Sequence, residues 1–231
     1  MKSNPFATRH VRPGQIPWVG DRQHSLDSIV SSWESRGSRM GAIIGPHGTG
    51  KSTLLSHLVP RCFSGPILSA ASSSSESEAS VAWVQLRRGQ NVGFCSLPPI
   101  LREPGICDWI LDGFEQLWLH QKLYVHWRQW MRGGKLLITA HRRQPGVPVI
   151  YRTESSPELA RDLVSKLLQA SLAEKAFEFQ PESIVELEAL VFESWRRHGG
   201  NIREVFMDLY DRVGNGSKLR IQQGDTGRIG T

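Results

Sequence analysis

Apolar residues in this chain come in two rhythms, and the rhythms alternate. Short, nearly unbroken apolar runs fit strands buried on both faces. They are Met40-Gly41-Ala42-Ile43-Ile44, Val81-Ala82-Trp83-Val84-Gln85-Leu86, Trp109-Ile110-Leu111, Lys135-Leu136-Leu137-Ile138-Thr139 and Val147-Pro148-Val149-Ile150-Tyr151. Segments with helical spacing separate them. Leu26, Ile29, Val30 and Trp33 predict a helix over 23–35, and residues 52–59 predict another that ends before Pro60. Leu119, Leu123, Trp127, Trp130 and Met131 fall on one face of a helix over 116–131, stopped by Gly133-Gly134. Three more helices are predicted beyond the last strand. Ser155-Ser156-Pro157-Glu158 opens one over 157–171, Pro181-Glu182 opens one that ends at Gly199-Gly200, and Asn201 caps one over 202–212.

Strands alternating with helices predict an α/β fold: a five-stranded parallel sheet in a three-layer α/β/α arrangement, followed by a small C-terminal helical lid. The expected organisation is an extended arm at 1–22, a core at 23–152, a lid at 153–213 and a disordered Gly-rich tail at 214–231. Within the core, the Ser-rich run at 69–80 is too polar to bury and is expected to be a mobile loop. Trp118 and the apolar face of the 116–131 helix are expected to pack inward. A tryptophan face left outside would mark a protein-partner surface.

Composition narrows the class. At 231 residues the chain makes one domain, or one domain with a lid. No apolar run approaches ~18 residues, so no membrane-spanning helix is expected. The start, Met1-Lys2-Ser3-Asn4-Pro5-Phe6, lacks an apolar signal core. Cys62, Cys95 and Cys107 have no C-x-x-C spacing and read as reduced thiols of a cytoplasmic protein. The net charge of +6 permits nucleic acid or another polyanion as partner without requiring one.

The chemistry centres on Gly45-Pro46-His47-Gly48-Thr49-Gly50-Lys51-Ser52-Thr53, which completes the phosphate-loop pattern G-x-x-x-x-G-K-[ST]. Glycines let successive backbone N–H groups turn toward phosphate oxygens. Lys51 adds a charge near the β- and γ-phosphates, and Ser52 offers a hydroxyl to Mg²⁺. An apolar run precedes the pattern and a helical one follows, so the helix N-terminus adds its partial positive charge.

Such a loop needs a carboxylate at the end of a nearby strand to hold Mg²⁺ through water. Asp112 meets that requirement, whereas Asp108 is followed by apolar residues. Glu115 either orients the attacking water and accepts its proton or is a first-turn glutamate favoured by the helix dipole. Gln116 is an alternative for positioning water. Thr139, His141 and Arg142 follow the next strand as candidate γ-phosphate sensors. Arg203, in the first turn of the last helix, either reaches a phosphate or is neutralised by Glu204.

These residues resemble P-loop ATPases that carry an extra strand between the phosphate loop and the acidic strand. Within them the chain is most similar to the AAA+ ATPases and the STAND class that includes NACHT domains. The phosphate loop carries the likeness, as does Ile110-Leu111-Asp112-Gly113-Phe114-Glu115-Gln116-Leu117, similar to the NACHT acidic motif. Leu136-Leu137-Ile138-Thr139-Ala140-His141-Arg142 resembles a sensor-1 strand, and Gly199-Gly200-Asn201-Ile202-Arg203-Glu204 a sensor-2 helix start. Trp18-Val19-Gly20-Asp21-Arg22 resembles the segment that packs near adenine. Glu115-Gln116 departs from the family's paired acids, which implies slow hydrolysis.

The resemblance implies ATP and Mg²⁺ as ligands and hydrolysis of the β-γ bond, with Lys51 and Glu115 catalytic. Oligomeric members complete the site in trans, with Arg142, Arg143, Arg152 and Arg161 as candidates. Two other readings stand beside this one. The first is a slow nucleotide switch or scaffold that binds a partner protein. The second is an ABC-like ATPase or small-molecule kinase, although no L-S-G-G-Q signature or acceptor site is visible. No N-K-x-D guanine-reading motif occurs, which favours ATP over GTP.

Overall fold

Alternate residues of the central strands serve opposite faces of the sheet. Ala42 and Ile44, Ala82 and Val84, Trp109 and Leu111, and Leu136 and Ile138 share one buried cluster. Ile43, Val81, Ile110 and Leu137 share another. This period of two on both faces is why the strands read as continuous apolar runs.

The computed structural model describes residues 4–7, 11, 15–16, 18–19, 24–69, 81–87, 99–103, 105–173 and 184–214. Most of the 1–22 arm, all but the first residue of the 69–80 run, Cys95, Pro181-Glu182 and the tail beyond 214 lie outside them. The chain divides into two compact units, Pro17–Glu154 and a second that joins Met1–Ile16 to Ser155–Thr231.

The first unit is α/β with one all-parallel sheet. Its elements are α1 (Leu26–Ser35), β1 (Met40–Ile44), α2 (Lys51–Cys62), β2 (Ile67–Ser69), β3 (Val81–Gln85), β4 (Asp108–Asp112), α3 (Leu119–Arg132), β5 (Leu136–Ala140) and β6 (Val149–Arg152). Single 3-10 turns lie at Pro99–Arg102 and Phe114–Gln116. The sheet order is β2-β3-β4-β5-β1-β6, so β5 lies between the loop strand β1 and the acidic strand β4. Among the described residues the sheet has six strands rather than the expected five. The extra one, β2, is a three-residue edge strand too short to show a period.

Helices cover both faces. Ile29 and Trp33 of α1 join Leu54, Leu55, Leu58 and Val59 of α2 on one face. Val125 of α3 is buried on the other. Here the inward-packing expectation is overturned: Trp118, Leu119, Leu123, Trp127, Trp130 and Met131 are 55–80% exposed, and α3 buries Gln121, Val125, Arg128 and Gln129 instead. Gln121 Nε2, Arg128 Nε and Gln129 Nε2 are buried without a hydrogen-bond partner, while other atoms of Gln121 and Arg128 are engaged. Gln121 Oε1 accepts from the Trp118 N–H at 2.9 Å and caps the helix start. Arg128 donates to the carbonyls of Leu101 and Glu103 and lies 5.1 Å from the Trp109 ring centre. The Arg128 contacts, which leave the helix, hold it opposite to its apolar stripe.

The second unit holds α4 (Pro157–Ala173), α5 (Ile184–Arg197) and α6 (Ile202–Gly214). Ala160, Leu163, Val164 and Leu168 of α4, Leu187, Leu190 and Val191 of α5, and Val205, Phe206 and Leu209 of α6 are buried. Phe6 stacks on Phe206 with ring centres 6.3 Å apart. Among the described residues no helix is long and apolar enough to cross a membrane.

Candidate functional site

The loop at 45–50 connects the carboxyl end of β1 to the first residue of α2. Its glycines have separate reasons. A Cβ on Gly45 would lie 2.2 Å from Thr153 Oγ1 and 2.5 Å from the Thr153 carbonyl. Gly50 has open space around it but sits at φ +83°, which a side chain rarely adopts. Gly50 gives α2 no side-chain cap, so the first-turn N–H groups have no side-chain acceptor from that position. Thr49 anchors the loop, with Oγ1 2.9 Å from the Pro46 carbonyl and 2.6 Å from Thr153 Oγ1.

Parallel pairing brings three strand ends side by side. Ile44 pairs with Ala140, and Asp112 with Thr139. Asp112 is buried, and its Oδ1 accepts from Ser52 Oγ at 3.1 Å and Thr139 Oγ1 at 2.5 Å. Thr139 Oγ1 also accepts from the Gly113 N–H at 2.9 Å. The Thr139 hydroxyl is therefore committed to orienting Asp112 and the turn after it.

His141, just beyond β5, bridges the two halves. Its Nε2 lies 2.9 Å from Glu115 Oε1, and its Nδ1 lies 3.3 Å from Lys51 Nζ and 3.2 Å from the Gly45 carbonyl. With Nε2–H donating to Glu115, Nδ1 is free to accept from Lys51. Lys51 Nζ also donates to the Gly45 and Pro46 carbonyls, at 2.8 and 2.5 Å. Burial pushes the Lys51 pKa down, while Glu115 and Asp112 oppose that shift. The His47 ring lies against His141 with centres 3.7 Å apart and planes tilted by 48°. Burial lowers the His47 pKa, and the charges of His141 and Lys51 lower it further.

Other candidates sit differently. Arg142 is solvent-exposed beside His141. Gln116 lies at the end of the 3-10 turn and its N–H bonds the Gly113 carbonyl at 2.9 Å. Arg203 belongs to the second unit, exposed in the first turn of α6, where Asn201 Oδ1 accepts its backbone N–H at 3.2 Å. Gly20, Asp21 and Arg22 lie outside the described residues, whereas Trp18 packs edge-on against Tyr151. Cys62 is buried with its thiol pKa pushed up to about 11, and Cys107 is an exposed free thiol.

Sequence reasoning missed Thr153, which follows β6 and closes over Gly45. A hydroxyl at the carboxyl end of a strand is its only sequence signal, shared with Thr139. The contact of the His47 ring with His141 was missed as well, because it depends on the strand order.

The residues present suit a polyphosphate with Mg²⁺ on three observations. The α2 start has no side-chain cap, Ser52 and Asp112 converge, and Glu115 Oε2 is buried without a hydrogen-bond partner. Loop N–H groups and Lys51 would hold phosphates. Two protein oxygens are few for a divalent ion, which agrees with Mg²⁺ retaining water. No protein-family model matches the chain, and no curated protein is significantly similar to it in sequence.

Proposed function

We propose that the chain is an ATP-binding P-loop protein of the AAA+/STAND type and a Mg²⁺-dependent ATPase. The observation that carries this reading is the convergence of Lys51, Ser52, Asp112, Glu115 and His141 at the ends of β1, β4 and β5. Lys51 would exchange its two loop carbonyls for phosphate oxygens. Ser52 and Asp112 would hold Mg²⁺, which supplies charge neutralisation across the β- and γ-phosphates. Thr139 keeps Asp112 aimed. Glu115 would orient the attacking water and take its proton, with His141 fixing the carboxylate.

One observation favours the slow-switch alternative. Both Lys51 and Glu115 are engaged by His141, so neither is free until that contact opens. A partner that opens it would set the rate of turnover.

The test is phosphate release by the purified chain with Mg-ATP, with nucleotide binding followed in parallel. Lys51→Ala is expected to lose binding and turnover. Glu115→Gln should bind and turn over ~100-fold or more slowly. Nucleotide binding without phosphate release in the parent selects the switch, and no binding overturns both readings. Arg203→Ala in the same assay tests the sensor-2 expectation.

A further inference from the structure

We propose that Thr153 is a positioning residue for phosphate binding, acting on the glycine-rich loop through the hydroxyl of Thr49. The role rests on the nucleotide reading and falls to a residue outside the loop motif.

Val149, Ile150 and Tyr151 of β6 are partly exposed, and Arg152 and Glu154 are exposed, yet Thr153 between those two is only 3% exposed. A buried hydroxyl at the exit of an edge strand needs a partner. The Thr153 N–H donates to the Ile44 carbonyl at 2.8 Å, which extends the pairing of β6 with β1 by one residue. That bond fixes Thr153 beside Gly45, where a Cβ would collide with it.

A count of protons gives the bonds their direction. Thr49 Oγ1 donates to the Pro46 carbonyl at 2.9 Å, which uses its single proton. The 2.6 Å contact between Thr49 Oγ1 and Thr153 Oγ1 must then carry the proton of Thr153. The other acceptor within reach, the Ile44 carbonyl, is 3.4 Å away and already takes the Thr153 N–H. A chain of bonds therefore runs from Thr153 to Thr49 to the Pro46 carbonyl.

That carbonyl has a second donor, Lys51 Nζ at 2.5 Å. Lys51 must leave it to reach a phosphate. With Thr49 held in place, the carbonyl keeps one donor after the lysine departs. With Thr49 displaced, it keeps none from this set, and the exchange is less favourable. Thr153 thus acts on phosphate affinity without contacting the ligand. Valine at 153 would put a methyl group where the hydroxyl stands. A methyl cannot stay 2.6 Å from an oxygen, so it would push Thr49 off the Pro46 carbonyl.

The experiment is calorimetric titration of the full chain with Mg-ATP, well below the melting temperature of each variant. Thr153→Val should weaken binding roughly 3- to 10-fold, the equivalent of one hydrogen bond. Thr153→Ser keeps the hydroxyl and should bind as the parent does. Thr49→Val should match Thr153→Val. The double variant should bind no more weakly than the more affected single one, because both act through one chain of bonds. Circular dichroism reads folding, and Thr153→Ala takes the place of Thr153→Val if the latter does not fold. A parent that binds while Thr153→Val binds equally well overturns the proposal and leaves the nucleotide reading standing. So do losses at Thr49 and Thr153 that add, or a loss that Thr153→Ser shares. A parent that does not bind Mg-ATP overturns the nucleotide reading, and the role of Thr153 with it.

Discussion

α2 and α3 flank the same sheet and follow strands that end in site residues, yet they face it in opposite ways. α2 buries Leu54, Leu55, Leu58 and Val59 and starts, without a side-chain cap, at the glycine-rich loop 45–50. α3 buries two glutamines and an arginine and turns its leucines and tryptophans outward. Both have an apolar stripe at helical spacing, so periodicity marks a distinct face without saying where that face points. A side-chain contact decides it: Arg128 reaches the Leu101 and Glu103 carbonyls outside α3, and among the described residues nothing comparable competes in α2.

Paired truncations break this contrast if it is wrong. Leu54→Ala should cost about 2–5 kcal/mol by cavity formation, while Leu123→Ala should stay within about 0.5 kcal/mol. Urea unfolding of both variants measures the gap, and equal losses would mean that α3 is packed inward. Next in size, Arg128→Ala should cost about 3 kcal/mol, because the buried Leu101 carbonyl and the part-buried Glu103 carbonyl lose their donor. A loss below about 1 kcal/mol would show that the clamp does not set the facing of α3.

Thr139→Val tests the junction between the two halves. It leaves the Gly113 N–H without its acceptor and Asp112 with Ser52 alone, for an expected ~1–3 kcal/mol. Thermal denaturation reads the stability, and Mg²⁺ dependence of nucleotide binding reads whether Asp112 has lost its aim.

The smallest effect concerns pH. His47 titrates below 6.5 in the folded chain because burial, His141 and Lys51 all disfavour its proton, with Glu115 opposing them. Above 6.5 that contribution to stability is complete. As pH falls from 6.5 through the lowered value, the unfolded chain takes up the proton first and the contribution shrinks. Midpoint temperature against pH should therefore slope less in His47→Gln than in the parent. Identical slopes would remove His47 from the loop's electrostatics.

Strands and helix type were legible wherever burial was two-sided or chemistry was local. β1, β4 and β5 are continuous apolar runs because both faces are covered, and the loop at 45–53 is contiguous in sequence. β2 was not legible, since Ile67 is half exposed at the sheet edge and only three residues pair. Pro148 suits an edge position: β6 is terminal in the sheet and starts at Val149, and the Pro148 carbonyl accepts from the Ala42 N–H. Thr139 and His141 were candidates from their place after a strand. Their different tasks follow from pleating and strand order. Thr139 turns to Asp112, while His141 reaches both Lys51 and Glu115 because β5 separates β1 from β4.

Gly113 restricts how this site can be altered by design. It stands at φ +92° between Asp112 and the turn that carries Glu115, and a Cβ there would sit 2.7 Å from the Leu86 carbonyl. No other residue fits that position without moving β3's exit. The spacing of the two carboxylates is therefore set by a joint without a side chain to adjust. A mutational library aimed at this site would find Gly113 intolerant, and useful variation would come instead from residues that hold the joint from outside, Thr139 and Leu86 first among them.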